Sequence, residues 1–294
     1  MNNNKTIKPM YIDKDINLYH TDSLEWLKQR KDNSVDLVFA DPPYFLTSNP
    51  TDMSYKGEWD KSKGVTKDFN FHLSWITEAW RVLKDDGVIW ITGTHHSIYQ
   101  CGHSLQLAGF HILNEISWYK PSKRFESLTH NLAFSHETII FARKHKGIKQ
   151  YMNNDYLTTS QDKFHTDGLT MPTIWDIRPC PRSEIDWHKT PKPVELLKRI
   201  LKLSSQEDSI ILDPFNGSGT TGIAVLECGE GRKYIGLDQC HEYLTKTVLR
   251  VNERQFKLAQ KEEQKQSQKE HGQQKTAFGE TVVAVSNLNK SGTN

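Results

Sequence analysis

The amino-acid sequence predicts an α/β fold with a mostly parallel sheet. Short apolar runs with the pattern of buried strands alternate with amphipathic helical segments along most of the 294 residues, and strands that alternate with helices pair in parallel. Two of these runs are followed directly by Asp-Pro, at 41–42 and 213–214. Proline cannot donate a ladder hydrogen bond, so each strand must stop there. The chain therefore carries two carboxylates at the carboxyl ends of buried strands.

In the first half of the chain, the elements follow from apolar spacing and from the turn residues between them. The polar cluster 21–23 caps a helix after the first strand. Residues 45–68 are polar and contain Gly, Asn and Pro, which predicts a long mobile loop. Helical spacing predicts a helix that stops at Gly87. The predicted helices are 23–30, 71–87 and 98–109, and the predicted strands are 16–20, 35–39, 88–93, 111–120 and 137–144.

The second half begins with an aperiodic stretch rich in aromatic and polar residues, 145–187. Beyond it, the pattern predicts helices at 190–205, 216–229 and 242–255, and strands at 208–215 and 233–238. The tail, 257–294, is rich in Gln and Lys and then in Ser, Asn and Gly. We expect it to extend the last helix only briefly, with one face formed by Lys257, Lys261, Lys265 and Lys269, and otherwise to be disordered.

Composition narrows the class of protein. No apolar run is long enough to span a membrane, and the first residues lack the apolar region of a signal peptide. The four cysteines, Cys101, Cys180, Cys228 and Cys240, lack metal-ligand spacing, which predicts reduced thiols in a cytoplasmic protein without a bound metal. Residues 120–200 hold 14 Lys and Arg against 9 Asp and Glu. This basic middle is either a face for phosphate backbones or an ordinary solvated surface.

The stretch FADPPYFL, 39–46, places several candidate functional groups at the end of one predicted strand. A residue before proline is held in an extended conformation, so Asp41 presents its carboxylate from a stiff backbone, with Pro42, Pro43 and the ring of Tyr44 directly after it. The alternative is a plain turn that ends a strand.

The stretch ILDPFNGSGTTG, 211–222, predicts a binding site for a nucleoside cofactor. Gly217 and Gly219 allow a ligand to approach the backbone, and the following helix offers its N-terminus. Asp238, at the end of the next strand, can accept hydrogen bonds from ribose hydroxyls. A P-loop is disfavoured because GSGTTG has no lysine. Asp22 either accepts from an adenine amino group or caps a helix.

Three motifs in this order, DPPY at 41–44, HKTPKP at 188–193 and DPFNGSGTT at 213–221, resemble those of the β-class DNA amino-methyltransferases of bacterial restriction–modification systems. The resemblance covers about residues 15–253 and includes GEWDK at 57–61 and SHETIIFARK at 135–144. It implies a Rossmann-like methyltransferase sheet with helices on both faces. It also implies a catalytic half, 1–144, a target-recognition region, 145–187, and a cofactor-binding half, 188–256.

The resemblance implies an enzyme that transfers a methyl group from S-adenosylmethionine to the N6 amine of adenine in DNA. The Asp41 carboxylate and the Pro42 carbonyl would accept the two N–H bonds of the amine, and Tyr44 would stack on a base rotated out of the duplex. No covalent intermediate is required. Methylation of cytosine N4, RNA or protein glutamine, and a DNA-binding relative without catalysis, remain alternatives. A homodimer and a companion restriction endonuclease are partners that the resemblance allows.

The resemblance also implies which residues contact cofactor and DNA. The expected cofactor-binding residues are Asp22, Thr190, Lys192, Asp213, Phe215, Gly217, Gly219, Thr220, Thr221 and Asp238, with Thr190 and Lys192 near the cofactor carboxylate. We expect Trp59 and Asp60 to lie in the mobile loop and to close over the flipped base. The candidates for DNA contact are Trp59, Lys120, Lys123, Arg124, Arg143, Arg178 and Arg182.

Overall fold

The computed structural model describes residues 6–46, 58–120, 132, 134–159, 170–181 and 183–288 of the chain. They form two units, residues 1–250 and 251–294. The first unit contains a nine-stranded sheet in the order β1-β2-β9-β8-β3-β4-β6-β5-β7. Its strands are β1 Tyr11–Ile12, β2 Ile16–His20, β3 Val35–Ala40, β4 Leu83–Gly93, β5 His111–Tyr119, β6 His136–Arg143, β7 Ile174–Asp176, β8 Ile210–Asp213 and β9 Lys233–Asp238.

The sheet is mostly parallel, as the alternation of elements predicts. Only β1 and β6 run against their neighbours among the described strands. The parallel pairing of β3 with β8 joins the two predicted halves of the core in one sheet. Because seven strands point the same way, β2, β3, β4, β8 and β9 end at a common edge, which carries the two Asp-Pro motifs.

Helices cover both faces of the sheet. They are α1 Ser23–Lys28, α2 Val65–Val82, α3 Ile98–Ala108, α4 Asn154–Thr159, α5 Val194–Ser204, α6 Thr220–Cys228 and α7 His241–Leu288, and Glu58–Asp60 forms a single 3₁₀ turn. On one face, Trp26 of α1, Trp75 of α2 and Leu105 of α3 pack with alternate residues of β3 and β4. On the other, the Trp90 indole donates to Ser204 of α5 at 2.9 Å. None of the described helices is long and apolar enough to cross a membrane.

The predicted helix 71–87 is too long at its C-terminal end. Helix α2 ends at Val82, and Leu83 is already extended and pairs with Val35 of β3. The pairing then shifts, so that Val88 lies opposite Leu37. Apolar spacing predicts a longer helix because Leu83 fits the buried face of α2. In the structure, Leu83 instead pairs with β3 in the sheet. The glycine that seemed to end the helix lies inside β4, where a Cβ would stand 2.8 Å from the carbonyl oxygen of Lys84.

Two further differences concern segments without apolar periodicity. The region 145–187 contains α4 and β7, and β7 extends the sheet beside β5. The tail was expected to be mostly disordered, yet α7 continues to Leu288. Lys, Gln, Glu and Ala are strong helix formers whatever their hydrophobicity, and a Glu253–Lys257 pair at 2.5 Å adds an i,i+4 contact. Polarity alone therefore does not predict disorder in this tail.

Candidate active site

Both Asp-Pro motifs open into one cavity of about 970 Å³ at the carboxyl edge of the sheet. Ligands of open parallel sheets bind in the crevice outside the carboxyl ends of the strands. The lining includes the motif after β3, the glycine turn after β8 and the end of β9. Of the residues predicted as catalytic or cofactor-binding, all except Gly219 line this cavity: Asp22, Asp41, Pro42, Pro43, Tyr44, Thr190, Lys192, Asp213, Phe215, Gly217, Thr220, Thr221 and Asp238.

The Asp41 carboxylate is held by three donors, one from its own motif and two from distant parts of the chain. Its Oδ1 atom accepts from the hydroxyls of Thr92 at 2.6 Å and Tyr44 at 2.8 Å. Its Oδ2 atom accepts from the Lys192 ammonium at 2.5 Å. Burial alone would raise the pKa of Asp41, but the charge and hydrogen bond of Lys192, with the two hydroxyls, hold that pKa below its ordinary value. Asp41 is therefore an anionic acceptor at the cavity wall.

The aromatic ring of Tyr44 is anchored by its hydroxyl. Burial and the negative charges of Asp41 and Glu137 raise the pKa of Tyr44 well above its ordinary value, so the group stays a neutral donor. The Lys192 ammonium lies 5.3 Å from the centre of the Tyr44 ring. A base that stacks on this ring would therefore meet Lys192.

Asp60 fixes the backbone of the DPPY segment. Its Oδ1 atom accepts the backbone N–H groups of Tyr44 at 2.6 Å and Phe45 at 2.9 Å. Phe45 has φ of 55°, a left-handed conformation that costs energy for a residue with a side chain. Asp60 is only 2% exposed, so it is a buried anchor rather than part of an open loop. Its neighbour Trp59 is 44% exposed and lines the cavity.

A second carboxylate lies behind Tyr44. Glu137, on β6, forms an ion pair with Lys120 and lies 3.8 Å from the ammonium of Lys192. The Tyr44 hydroxyl is 3.4 Å from Glu137 Oε2. Burial and the nearby Lys192 lower the pKa of Lys120, which Glu137 partly opposes. Lys120, a candidate for DNA contact, is thus paired with the Glu137 carboxylate in this structure.

The glycine turn forms the opposite end of the cavity. The backbone N–H of Gly217 donates to Asp238 Oδ2 at 2.8 Å. Gly219 precedes α6 with φ of 73°, and a Cβ there would collide with Thr247 of α7. Gly219 is therefore required by the close approach of a helix, not by an open face toward the cavity. Thr220 and Thr221 begin α6, and Thr221 donates to Asp213 Oδ2 at 2.6 Å.

Two carboxylates at this end have raised pKa values. Burial, with the charges of Asp41 and Asp238, raises the pKa of Asp213 to about 7, although the Thr221 hydroxyl and the Phe215 N–H oppose the change. Burial raises the pKa of Asp238 to about 6 against the N–H groups of Cys240 and Gly217. Buried carboxylates with raised pKa values are typical of functional sites.

Asp22 fills one of the two roles that the sequence left open, that of a helix cap. One oxygen caps α1 by accepting from the Glu25 N–H at 3.0 Å, and the other accepts from Gln239 Nε2 at 2.6 Å. The residue also lines the cavity. Asp22 and Gln239 therefore form a hydrogen-bonding rim beyond Asp238.

The HKTPKP segment contributes His188, Thr190 and Lys192 to the cavity wall. Burial lowers the pKa of His188 to about 4, so its ring is neutral, and the ring packs against Tyr243 at 4.9 Å. Thr190 lines the cavity. Lys192, expected near a cofactor carboxylate, instead has its ammonium on Asp41 and is 7% exposed at its side chain. The structure thus brings Lys192 to the predicted catalytic carboxylate.

The remaining candidates for DNA contact are dispersed. Lys123, Arg124 and Arg182 lie outside the described residues. Arg143 pairs with Val88 at the edge of the sheet opposite the cavity and donates to Gln150 and to the Lys146 carbonyl. Arg178 is exposed just after β7, which ends at the cavity edge. Only Trp59 and Lys120, among these candidates within the described chain, lie in or beside the predicted site.

Four residues of the site escaped sequence reasoning in their present roles: Thr92, Asp60, Glu137 and His188. Glu137 and Asp60 lie in the stretches SHETIIFARK and GEWDK, which were matched only as resemblance. Thr92 is the penultimate residue of β4, next to β3 in the sheet. A polar residue at the end of the strand that neighbours Asp41 was the available signal. The described residues contain no cluster of ligands suited to a metal ion.

Comparison with known proteins gives one family. A family model described as DNA methylase, for N6 and N4 methyltransferases, matches residues 35–249. Type II methyltransferase M2.MboI of Moraxella bovis is 39% identical over 259 residues, which are 84% of this chain and 92% of that protein. Type II methyltransferase M2.DpnII of Streptococcus pneumoniae is 38% identical over 248 residues, 81% of this chain and 90% of its own length.

Solved structures share the fold at lower identity. The complex of M1.HpyAVI with S-adenosylmethionine gives a TM-score of 0.60 at 24% identity, covering 81% of this chain and 99% of that one. PvuII DNA methyltransferase, described as cytosine-N4-specific, gives a TM-score of 0.63 at 19% identity, covering 83% and 89%.

Proposed function

Because the chain belongs to the N6/N4 DNA methylase family, we propose that it methylates the N6 amine of adenine at specific sites in DNA. The protein is an S-adenosylmethionine-dependent methyltransferase with DNA as its substrate. The observation that carries the proposal is the geometry of Asp41, an anionic acceptor that shares one cavity with the glycine turn.

The exocyclic amine of a base is a poor nucleophile, because its lone pair is delocalised into the ring. An acceptor for each N–H bond draws the nitrogen toward tetrahedral geometry and stabilises the positive charge that develops on it. The Asp41 carboxylate and the Pro42 carbonyl line the cavity together and can supply these acceptors. Thr92 and Tyr44 orient the carboxylate before the base arrives, so little reorganisation is needed during the reaction.

The residues at the glycine turn fit the cofactor. S-adenosylmethionine, when bound, supplies a methyl group on a sulfonium, which makes that carbon electrophilic. Asp213, with a pKa near neutrality and no close cation, suits the ammonium group of the amino-acid portion. Asp238, whose oxygens already accept two backbone N–H groups, can take ribose hydroxyls. Asp22 and Gln239 offer an acceptor and a donor for the adenine ring.

The base must leave the duplex to reach Asp41, since an amine in a stacked pair cannot enter the cavity. Tyr44 and the exposed Trp59 offer ring faces at the cavity. We assign sequence recognition to residues 145–187, which include the exposed Arg178. Strand β7 joins this region to the sheet by pairing with β5, and its central residue Trp175 is buried.

The relatives named as type II methyltransferases support two further parts of the proposal. We propose that the protein works in the cytoplasm beside a restriction endonuclease of the same specificity, and that it does so as a homodimer. Size-exclusion chromatography with light scattering tests the dimer. Digestion of DNA from expressing cells with restriction enzymes tests the protection.

Two experiments test the base and the site. DNA from cells that express the protein, sequenced with detection of modified bases, should show N6-methyladenine in one short sequence. Nucleosides from DNA incubated with the protein and methyl-labelled cofactor, separated by mass spectrometry, should carry the label in N6-methyladenine. Label in N4-methylcytosine would overturn the choice of base, and label in protein would overturn the substrate class.

A further inference from the structure

Two lysines and two acidic residues form a buried charge cluster behind the predicted catalytic motif: Lys120, Glu137, Lys192 and Asp41. Lys192 Nζ lies 2.5 Å from Asp41 Oδ2 and 3.8 Å from Glu137 Oε2, and Lys120 pairs with the other oxygen of Glu137. The Lys192 side chain is 7% exposed. It therefore stands between two carboxylates with little access to water.

The ammonium of Lys192 lies where the proposed function requires the target amine. Asp41 Oδ1 already accepts two hydroxyl groups, so Oδ2 is the atom available to an incoming N–H donor. Lys192 donates to that same atom. It also lies 5.3 Å from the centre of the Tyr44 ring, on which the base would stack. A base entering this position cannot leave the lysine where it is.

We propose that Lys192 occupies the target-amine position in the enzyme without DNA, and that Glu137 is the positioning residue that receives Lys192 when the amine takes Asp41 Oδ2. This inference rests on the proposed function. It makes the Asp41–Lys192 ion pair a resting contact that mimics the substrate and assigns a role to Glu137, which lies behind the motif and outside the cavity lining.

This exchange requires little movement, because Lys192 Nζ already lies 3.8 Å from Glu137 Oε2. A displacement of about 1 Å brings an ammonium from 3.8 Å to hydrogen-bonding distance of a carboxylate. The ammonium carries three donors, so it can strengthen its bond to Glu137 as it loosens that to Asp41. Without Glu137, entry of the amine would leave a buried ammonium with no close anion, and such a group is strongly disfavoured.

The second lysine holds the receiving carboxylate in place. Lys120 binds Glu137 Oε1, which leaves Oε2 directed toward Lys192 and the Tyr44 hydroxyl. The charges of the cluster are balanced before and after the exchange, because Lys192 moves between two anions and no proton is transferred. Lys192 therefore keeps a carboxylate partner throughout the exchange, while the base gains an acceptor at Asp41.

The test compares binding of two DNA duplexes that differ by one amino group. Both contain the methylation site, determined beforehand by modified-base sequencing. One has adenine and the other has unsubstituted purine at the target position. Equilibrium binding is measured with S-adenosylhomocysteine present, so that no turnover occurs. The ratio is the dissociation constant for the purine duplex divided by that for the adenine duplex. The base-pairing difference between the two duplexes is the same for every variant, so a change in this ratio between variants reports the energy gained when the amine takes its acceptor.

Glu137→Gln should reduce this ratio about tenfold, because Lys192 then has no alternative anion and competes more strongly for Asp41. The ratio should change by less than about twofold when Glu137→Gln is added to a Lys192→Met variant, where there is no ammonium to receive. Glu195→Gln, which removes a lysine-paired carboxylate on the outside of α5, is the matched control and should leave the ratio unchanged.

An unchanged ratio in Glu137→Gln, or an equal reduction with and without Lys192, would overturn the proposal. Calorimetric binding of S-adenosylmethionine serves as the check on folding and should stay within about threefold of the wild-type value for Glu137→Gln. Failure of the proposed function is recognised separately, because the wild-type protein would then place no methyl group on adenine in the sequencing experiment.

Discussion

Asp41 and Asp213 occupy equivalent places in the sheet and have opposite electrostatic environments. Each follows a buried parallel strand, each precedes a proline, and β3 and β8 are direct neighbours. Asp41 has the Lys192 ammonium at 2.5 Å and a lowered pKa, whereas Asp213 accepts from the Thr221 hydroxyl and the Phe215 N–H and has a pKa raised to about 7. One local motif has thus produced a permanent anion and a carboxyl group poised to ionise.

The two ends of the cavity therefore differ in their electrostatics before any ligand binds. The end with Asp41, which we propose as the catalytic end, already has the Lys192 ammonium as a cation before a substrate binds. The cofactor end lacks a close cation at Asp213, and a cationic ligand would supply one. A preorganised acceptor suits a group that must act in the transition state, whereas an unpaired carboxyl group suits a group whose task is to bind.

Asp41→Ala should have the largest effect, because it removes the acceptor on which the amine depends. We expect methyl transfer to fall by about three orders of magnitude or more, with cofactor affinity within about tenfold of the wild-type value. Single-turnover methylation and calorimetry measure the two quantities. Near-normal turnover in this variant would remove Asp41 from the mechanism.

Asp60→Ala should slow transfer by about a hundredfold without reaching the effect of Asp41→Ala. The backbone N–H groups of Tyr44 and Phe45 would lose their common acceptor, and the strained φ of Phe45 would no longer be held. Asp60→Asn keeps an oxygen in place and should retain most of the rate. Equal transfer rates in Asp60→Ala and Asp60→Asn would show that these two hydrogen bonds do not support the reaction.

Lys192→Met should make Asp41 resemble Asp213. Burial without the cation would raise the pKa of Asp41, so the acid limb of the profile of kcat/KM against pH should move to higher pH. The other titratable groups around Asp41 are Tyr44, Lys120, Glu137, His188 and Asp213. Lys192→Arg keeps the charge and should keep the wild-type acid limb. A wild-type profile in Lys192→Met would show that the hydroxyls alone keep Asp41 ionised.

Asp213→Asn should have a smaller effect, with opposite signs for stability and binding. The folded-state pKa of Asp213 lies above its unfolded value, so its contribution to stability is present at low pH and is lost as pH rises toward and through about 7. The variant without ligand should therefore melt about 3 °C higher than wild type at pH 8 and closer to it at pH 5.

The same substitution should weaken S-adenosylmethionine binding about tenfold at pH 8, because the ammonium loses an anionic partner. Thermal melts and calorimetry at the two pH values provide the measurements. A variant that melts lower at pH 8 and binds the cofactor normally would contradict both parts. Asp36→Asn, which alters a half-buried aspartate on β3 remote from the cavity, controls for the loss of a carboxylate.

Three features could be predicted from local sequence: the α/β class, the two strands that end in Asp-Pro motifs, and the glycine turn. These features follow from local rules: apolar periodicity marks the elements, proline stops a strand, and parallel strands bring their carboxyl ends to one edge. Asp41, Tyr44, Asp213, Gly217 and Asp238 could therefore be assigned to one site before any contact was known.

Which charged side chains contact one another within that site follows from the tertiary structure. Lys192 reaches Asp41 across 151 positions of the sequence, and Glu137 lies 93 positions from Tyr44. No local pattern marks such pairs, because a charged residue at a strand end or a helix start is equally compatible with solvent. Likewise, Leu83 satisfies the apolar spacing of a helix and the pairing of a strand, and its contact with Val35 chooses the strand. Burial and long-range pairing set these outcomes, and both arise only once the chain has folded.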